Sequence, residues 1–286
     1  MAVASLVLAR RSAGAYVVRV EDLDPPRVVA GSAARILDDL AWLGLGSDER
    51  VMYQSARHAA YAAALSKLEA RGLVYPCDCS RAEIQRSASA PHAGEETRYP
   101  GTCRAKDPRR SMKRPPALRL RVTPGEVHYE DLAAGTFSQD LERDVGDFVL
   151  RRGDGVYAYQ LAVAVDDIAQ RISHVVRGLD LLASTPRQLH LMKLLGATSV
   201  PTYAHVPMVV DAKGERLAKR THGARVRALR EAGLTVEAVL GVLAFGIGLR
   251  ESPAPCTLAE LAQGPVQLTW KRTALQIPES WAGVDP

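Results

Sequence analysis

Short apolar runs that suit β-strands alternate with helix-like segments along most of this 286-residue chain. The spacing of the apolar residues predicts a helix at Ala4–Arg11, a strand at Ala15–Val20, and helices at Ser32–Leu43 and Arg57–Arg71. Strands that alternate with helices are typical of a parallel sheet covered by helices. The sequence therefore predicts an α/β fold.

The same alternation resumes in the second half of the chain. Strands are predicted at Asp147–Leu150, Ser173–Val176 and His205–Val210, and a helix is predicted at Thr185–Leu195. From residue 224 onward the pattern is helical and ends in a tail that contains proline.

Residues 73–144 interrupt the alternation. They hold a short strand, a predicted helix at Arg81–Arg86, a polar and basic irregular stretch, and strand-like runs at Ala117–Val122 and Val127–Leu132. Such a long irregular stretch inside a compact domain usually has a function or a metal that organises it. We therefore interpret residues 73–144 as an insertion in the α/β domain.

Three cysteines of the insertion have the spacing of a metal site. Cys77 and Cys79 form a Cys-x-Cys pair, Cys103 follows 24 positions later, and Tyr99 and His92 are both candidates for a fourth donor. Thiolates in a tetrahedral arrangement are typical zinc ligands, and zinc would organise a segment with few apolar residues. The alternative is three unrelated cysteines.

Basic residues are concentrated in two clusters. Arg98–Arg121 contains nine basic residues and one acid, and Arg216–Arg230 contains six basic residues and no acid. The rest of the chain has 22 basic residues against 31 acids, although the net charge of the whole is only +5. This pattern indicates a polyanionic partner such as a nucleic acid, and the alternative is a solvated surface rich in arginine.

Composition argues against a secreted or membrane protein. Four cysteines do not form a disulfide framework in a chain of this length, and Cys256 is expected to be an ordinary free thiol. The apolar run Ala2–Ala9 precedes its positive charges, unlike a signal peptide. The run Val239–Leu249 is shorter than the about 20 residues that span a bilayer. We expect a cytoplasmic protein without a membrane partner.

A cluster of charged residues ends the first predicted strand, at Arg19, Glu21, Asp22 and Asp24. The carboxyl ends of strands in an open parallel sheet are where ligands bind. Acidic groups there suit an amine or a hydroxyl. The alternative is an ordinary charged turn.

Two further segments are candidates for ligand binding. Arg177 offers a guanidinium for a carboxylate and Tyr159 a hydroxyl that can orient a polar ligand, although a surface ion pair and a core aromatic are the plainer alternatives. The basic loop Arg216–Arg220 could hold phosphates as point charges. The sequence contains no Walker-type loop, so ATP would bind by another scheme.

In this order, the motifs resemble the catalytic domain of class I glutamyl-tRNA synthetases. The matching stretches are Arg19-Val-Glu21-Asp22-Leu-Asp24-Pro-Pro-Arg27, Tyr53-Gln54-Ser55, Cys77-x-Cys79, Tyr99-x-x-x-Cys103, Tyr159-Gln-Leu-Ala, Val-Arg177-Gly-Leu-Asp180 and Arg216-Leu-Ala-Lys219-Arg220. The resemblance covers about residues 1–245 and is closest to the short members of the family, which lack an anticodon-binding domain and act on tRNA(Asp).

The resemblance implies a Rossmann-like class I aminoacyl-tRNA synthetase catalytic domain with a zinc-containing insertion and a helical C-terminal part. It implies an ATP-dependent ligase that activates L-glutamate as its adenylate and passes it to queuosine in the anticodon loop of tRNA(Asp). ATP is expected as a substrate with Mg²⁺, together with one structural Zn²⁺ per chain. We expect a monomer.

The resemblance also implies roles for single residues. Glutamate would contact Glu21, Tyr159 and Arg177. Lys219 would stabilise the phosphates as pyrophosphate leaves. It lies in a loop that corresponds to the KMSKS motif and consists of Arg216, Leu217, Ala218, Lys219 and Arg220. Zinc would be bound by Cys77, Cys79, Tyr99 and Cys103, which favours Tyr99 over His92 as the fourth ligand.

Four segments follow from this interpretation. Residues 1–72 are the first part of the catalytic domain, without its first strand. Residues 73–144 are the zinc-containing, acceptor-like insertion. Residues 145–222 are the second part of the catalytic domain with the KMSKS-like loop, and residues 223–286 are a helical region and tail.

Two features depart from the family pattern. The KMSKS-like loop keeps its key lysine but changes the neighbours of that lysine. The first strand and the HIGH motif, which bind glutamate and ATP, do not occur in this sequence. Either the start codon was placed too late or the protein is truncated, and we hypothesise the former. The chain as written is expected to fail at adenylate formation.

Two other functions remain as alternatives. A conventional glutamyl-tRNA synthetase needs a large anticodon-binding domain, and only about 50 residues follow Gly233. An inactive RNA-binding relative would keep the insertion and the basic loop, and it would fit a chain without the HIGH motif.

Overall fold

The computed structural model describes residues 1–87, 98–210, 226–265, 274–276, 278 and 281. Its helices are α1 (Ala2–Arg11), α2 (Ser32–Trp42), α3 (His58–Ala70), α4 (Arg81–Ser87), α5 (Leu141–Asp144), α6 (Tyr159–Ala169), α7 (Thr185–Leu195), α8 (Val226–Glu231), α9 (Val236–Gly246) and α10 (Leu258–Ala262). Its strands are β1 (Arg19–Val20), β2 (Met52–Tyr53), β3 (Val74–Cys77), β4 (Ala117–Leu120), β5 (Glu126–Asp131), β6 (Gly135–Asp140), β7 (Val149–Arg151), β8 (His174–Gly178), β9 (Thr202–Val206), β10 (Met208–Val210) and β11 (Ala274–Gln276). The fold is α/β, as predicted.

The largest described sheet has the strand order β6-β5-β9-β8. Strands β8 and β9 are parallel, with Arg177 opposite His205. Strand β5 joins them in parallel through Asp131 and Tyr203, and β6 is antiparallel to β5. Strands β8 and β9 end side by side at Gly178 and Val206, whereas Asp131, the last residue of β5, lies opposite Tyr203 near the start of β9. Strands β5 and β6 fall within residues 73–144 and yet belong to this sheet.

A second, antiparallel sheet has the order β3-β4-β7. Its strand β3 ends at Cys77, opposite Ala117 on β4. Two short parallel pairs complete the described sheets, β1 with β2 and β10 with β11. The first of these pairs places the turn after β1 beside the turn that begins at Gln54.

Two apolar clusters stabilise these layers. Helices α1, α9 and α10 bury Val7, Leu240 and Leu261 in one cluster. Helices α3, α6 and α7 bury Leu68, Leu161 and Leu191 against the antiparallel sheet in the other. A fully buried leucine contributes about 1.5–3 kcal/mol relative to an exposed one. The second cluster fixes α6, which begins with Tyr159.

The predicted helices correspond to α1, α2, α3, α4 and α7. The strand predicted at Ala15–Val20 is wrong over its first four residues. There the backbone N–H groups of Tyr16 and Val18 donate to side chains, the Asp48 carboxylate at 2.7 Å and the Ser47 hydroxyl at 3.1 Å. Side-chain acceptors therefore take the place of a neighbouring strand.

The strand predicted at His205–Val210 is two strands. Strand β9 ends at Val206 and β10 begins at Met208, because Pro207 between them has no N–H to donate to a ladder. Strand β6 was not predicted from the sequence. Of the helices in the described ranges, none is both long and apolar enough to cross a membrane.

Candidate active site and metal site

Three predicted glutamate-binding residues come from separate elements. Glu21 follows β1, Tyr159 begins α6, and Arg177 lies in β8. Burial raises the pKa values of Glu21 and Tyr159; the charge of Arg177 opposes both shifts, and the charge of Glu21 adds to that of Tyr159. The fold thus brings the three side chains close enough to interact electrostatically.

Glu21 is the acidic group of this site that remains open to solvent. Its side chain is 43% exposed, and Oε1 lies 3.7 Å from Nη2 of Arg19. Surrounding protein atoms nevertheless remove enough water to raise the pKa of Glu21, against the attraction of Arg19 and Arg177. Glu21 therefore combines an exposed carboxylate with a partly desolvated environment.

Arg19 is held behind Glu21 by a buried acid. Its Nη1 donates to Oδ1 of Asp167 at 2.8 Å and to Oε1 of Gln170 at 3.0 Å. Burial is the main cause of a raised pKa for Asp167, and the charge of Arg19 opposes it. Within the described part of the chain, Oδ2 of Asp167 has no hydrogen-bond partner. The site therefore offers one buried acceptor that a polar ligand can satisfy.

The neighbouring Asp166 stabilises the fold and does not face the site. Its fully buried carboxylate accepts hydrogen bonds from Tyr61 at 2.7 Å, Gln54 at 3.0 Å and Arg57 at 3.0 Å. These bonds tie α6 to α3 and to the turn after β2. The sequence signal was a pair of acids inside an apolar helix, and charged residues are rarely buried without partners.

Two acids of the predicted cluster also have structural partners. Asp22 accepts from the backbone N–H and the hydroxyl of Ser55, at 2.8 and 2.6 Å. Asp24 pairs with Arg27 and Arg152. Of the four charged residues at positions 19, 21, 22 and 24, Arg19 and Glu21 therefore remain next to the site.

Arg177 is buried, with 6% of its surface exposed. Its Nε donates to Nε2 of His205 at 3.0 Å, and Nη1 donates to Gln188 at 2.7 Å. Its Nη2 donates to the hydroxyl of Thr185 at 2.7 Å and to the carbonyl of Leu181 at 3.2 Å. Among the described residues no carboxylate pairs with Arg177, which excludes the alternative of a surface ion pair.

A buried pair behind Arg177 was missed at the sequence level. Nδ1 of His205 lies 2.5 Å from Oδ2 of Asp131, and both side chains are fully buried. Both residues lie at or next to the ends of predicted strands. That position was the available signal, but sequence alone does not show which strands are neighbours.

The predicted ATP-binding loop is not part of the chain that the structure describes. Arg216, Leu217, Ala218, Lys219 and Arg220 all lie outside the described residues, as does His92.

The three cysteines of the insertion converge. Their sulfur atoms all lie within 4.8 Å of one another, with 3.5 Å between Sγ of Cys79 and Sγ of Cys103. Two ligands of a tetrahedral zinc with bonds of about 2.3 Å are about 3.8 Å apart. The separation of the thiols therefore fits a metal of this size.

Tyr99 completes this donor set. Its hydroxyl oxygen lies 3.3 Å from Sγ of Cys77 and 4.0 Å from Sγ of Cys79, and it accepts the backbone N–H of Cys103 at 2.9 Å. The guanidinium of Arg119 stacks on the Tyr99 ring, 3.8 Å from its centre. The structure thus brings Tyr99 next to the three cysteines, and a tetrahedral site formed by Cys77, Cys79, Tyr99 and Cys103 stays a prediction.

The thiols of the cluster differ in acidity. Burial acts to raise the pKa of Cys77, but contacts with Tyr99, the backbone of Cys79 and Arg119 outweigh it and lower that pKa. Burial, the Cys103 thiol and the charge of Cys77 together raise the pKa of Cys79 to about 12.

Part of the first basic cluster is structural. Arg104, Arg110, Arg119 and Arg121 point into the protein, where they contact Asp147, Asp78, the backbone of Asp147 and the backbone of Arg104. Five basic side chains of the cluster are exposed, namely Arg98, Lys106, Arg109, Lys113 and Arg114. The surface available to a polyanion is therefore narrower than the sequence count indicates.

The fold and the site together define a class of protein. A model of the family "tRNA synthetases class I (E and Q), catalytic domain" matches residues 1–279. The structure is similar to that of a glutamate-tRNA synthetase from Elizabethkingia anophelis, with a TM-score of 0.80 and 21% identity, over 98% of this chain and 65% of that chain. At this identity the likeness concerns the fold alone.

Sequence relatives narrow the class. A glutamyl-Q tRNA(Asp) synthetase of Geobacter sulfurreducens is 49% identical over 270 residues, which are 94% of this chain and 84% of the relative. One of Dechloromonas aromatica is 45% identical over 282 residues, 99% of this chain and 86% of the relative. The chain belongs to the class I tRNA synthetase family and, within it, to the glutamyl-Q tRNA(Asp) synthetase group. Class I synthetases are ligases that use ATP and Mg²⁺.

Proposed function

We propose that this protein activates L-glutamate with ATP and transfers it to queuosine in the anticodon loop of tRNA(Asp). What supports the proposal is that Glu21, Tyr159 and Arg177 influence one another electrostatically, in a chain that is 49% identical to a glutamyl-Q tRNA(Asp) synthetase. The queuosine step rests on the names of those relatives.

The charges of Glu21 and Arg177 suit a free amino acid with an acidic side chain. The carboxylate of Glu21 attracts an α-ammonium group, and the guanidinium of Arg177 attracts a carboxylate. Tyr159 supplies a hydroxyl that orients the substrate. A buried guanidinium surrounded by neutral acceptors disfavours the neutral amide of glutamine at the same place.

The reaction proceeds in two transfers. A carboxylate oxygen of glutamate attacks the α-phosphorus of ATP, the bond to the β-phosphate breaks, and pyrophosphate leaves. A hydroxyl of the queuosine cyclopentenediol then attacks the activated carbonyl carbon, loses its proton, and releases AMP. We assign Lys219 of the basic loop to the charge that develops on the leaving pyrophosphate, with Mg²⁺ on the phosphates.

Cys77, Cys79, Cys103 and Tyr99 are proposed to hold one structural Zn²⁺. The donor set supports this assignment, because three converging thiols and a phenol oxygen fit a closed tetrahedral site. The metal would tie the end of β3 to residues 99–103.

Transfer of radiolabelled glutamate to purified tRNAs tests the proposal. The purified protein is expected to label tRNA(Asp) that contains queuosine, and neither tRNA(Asp) without queuosine nor tRNA(Glu). Labelling of tRNA(Glu) alone would instead identify a conventional glutamyl-tRNA synthetase. Binding of tRNA without transfer to any of the three would identify an inactive RNA-binding relative.

A further inference from the structure

A row of three buried side chains crosses three neighbouring strands of the largest sheet. Asp131 ends β5, His205 lies in the adjacent β9, and Arg177 lies in the next strand, β8. Their exposed fractions are 2%, 2% and 6%. Nδ1 of His205 lies 2.5 Å from Oδ2 of Asp131, and Nε of Arg177 lies 3.0 Å from Nε2 of His205.

The chemistry of these three groups fixes the position of a proton. Nε of arginine carries one hydrogen and can only donate, so Nε2 of His205 must accept. The proton of the neutral imidazole then lies on Nδ1 and is donated to the Asp131 carboxylate. A proton on Nε2 would place two N–H groups against each other at Arg177.

Asp131 is well suited to hold this arrangement. Its Oδ1 accepts the backbone N–H groups of His205, Ala133 and Ala134, at 3.1, 3.0 and 2.8 Å. Burial acts to raise the pKa of Asp131, but the hydrogen bonds from the His205 side chain and these backbone groups outweigh it and lower that pKa. The carboxylate is thus ionised, and it faces His205 through Oδ2.

Every other bonded N–H of Arg177 meets a neutral acceptor, on Gln188, Thr185 or Leu181. Arginine has five N–H groups. Since four of them donate to described residues, one on Nη1 is left for a ligand. The orientation of this last donor depends on all the others, including the bond to His205.

We propose that Asp131 and His205 are positioning residues for substrate binding: Asp131 holds His205 in the tautomer that accepts from Arg177 and so aims the guanidinium at the substrate carboxylate. The inference rests on the proposed function in one respect, namely that Arg177 binds a carboxylate of glutamate. A purely structural Asp–His pair would link β5 to β9 without any effect on glutamate.

The variant Asp131→Asn separates these two roles. Its Oδ1 can still accept the three backbone N–H groups, while its amide N–H would donate to Nδ1 of His205 and move the imidazole proton to Nε2. We expect the KM for glutamate to rise by about tenfold or more, with kcat and the KM for ATP within about threefold of the wild type. Asp144→Asn is the matched control, because Asp144 pairs only with Arg143 on the surface among the contacts described.

Nitrogen-15 NMR of labelled histidine reads the tautomer directly. The wild type is expected to show His205 protonated at Nδ1 and Asp131→Asn to show it protonated at Nε2. Protonation at Nε2 in the wild type would overturn the inference. So would a shifted proton in Asp131→Asn with a wild-type KM for glutamate.

A second pair of variants covers the case in which Asp131→Asn does not fold. In His205→Gln an amide oxygen can still accept from Arg177, so glutamate binding should stay within about threefold, whereas His205→Met should lose about tenfold. Equal glutamate affinities of the two variants would contradict the inference. If Arg177→Gln also binds glutamate like the wild type, the proposed substrate site itself is wrong.

Discussion

Single buried side chains determine both the stability and the binding chemistry of this protein. Asp166 carries a full charge inside the fold, and three donors compensate it. Burial and the hydrogen bond to Asp166 raise the pKa of Tyr61, which keeps its hydroxyl protonated as a donor. Loss of the Tyr61 hydroxyl would leave the buried Oδ2 of Asp166 with Gln54 as its remaining donor, and this lost hydrogen bond matters more than the small volume lost.

Tyr61→Phe is therefore expected to destabilise the fold by about 1–3 kcal/mol. The change removes the 2.7 Å bond to Asp166 and keeps the packing of the buried ring. Urea denaturation of the variant and the wild type measures the difference. The control is Tyr53→Phe, at a tyrosine that is 40% exposed, which should stay within about 0.5 kcal/mol. Equal losses in both variants would contradict the role given to Asp166.

The raised pKa of Glu21 predicts a pH dependence of glutamate affinity. An ionised Glu21 attracts the α-ammonium, and its protonation removes that attraction. Because the pKa lies above the ordinary value of 4.5, affinity should begin to fall at a higher pH than for an exposed glutamate as the solution is acidified. Calorimetric titration of glutamate across this pH range measures the effect. The variant Glu21→Gln should bind glutamate weakly, and its affinity should not depend on pH in this range. A wild-type affinity that stays constant through the range would contradict the assignment.

At the scale of elements, few apolar residues surround the proposed metal site of the insertion. Tyr75, Cys77, Tyr99 and Cys103 form a small separate cluster. Arg119 stacks on Tyr99, and Asp78 binds Arg110 beside the thiols. This polar frame supports the proposal that a metal stabilises this part of the chain.

Cys103→Ser is expected to reduce bound zinc from about one per chain to none and to destabilise the fold by more than about 2 kcal/mol. Metal analysis and thermal unfolding measure the two effects. Cys256→Ser is the matched control, since Cys256 is buried in the other part of the molecule and away from the cluster. Its zinc content should equal that of the wild type. Zinc retained in Cys103→Ser would remove the proposed site.

The sequence predicted most helices and the three cysteines that converge, since apolar periodicity and motif spacing are local properties. It did not predict β6, the short β1 or the break at Pro207, because these depend on which backbone groups find partners. The Asp131–His205 pair was missed for a related reason. Strand order β6-β5-β9-β8 brings together residues 74 positions apart, and no local pattern encodes that order.

At the scale of the whole molecule, the exposed part of the first basic cluster is the surface we expect to meet tRNA. Lys106→Ala should weaken tRNA binding and reduce the slope of log affinity against log salt by about one, since one phosphate contact is lost. Lys67→Ala on the exposed side of α3 is the control and should leave that slope unchanged. Filter binding at several salt concentrations measures both. Equal slopes in all three proteins would place the tRNA elsewhere. The expected monomer and cytoplasmic location stay predictions.

We propose above all that Glu21 and Arg177 together select glutamate for activation by ATP. Exchange of radiolabelled pyrophosphate into ATP by the purified protein tests this most directly. We predict exchange that requires L-glutamate, is weak with L-glutamine or L-aspartate, and falls by about tenfold or more in Arg177→Gln. Exchange that proceeds equally with aspartate, or that is unaffected in Arg177→Gln, would contradict the account.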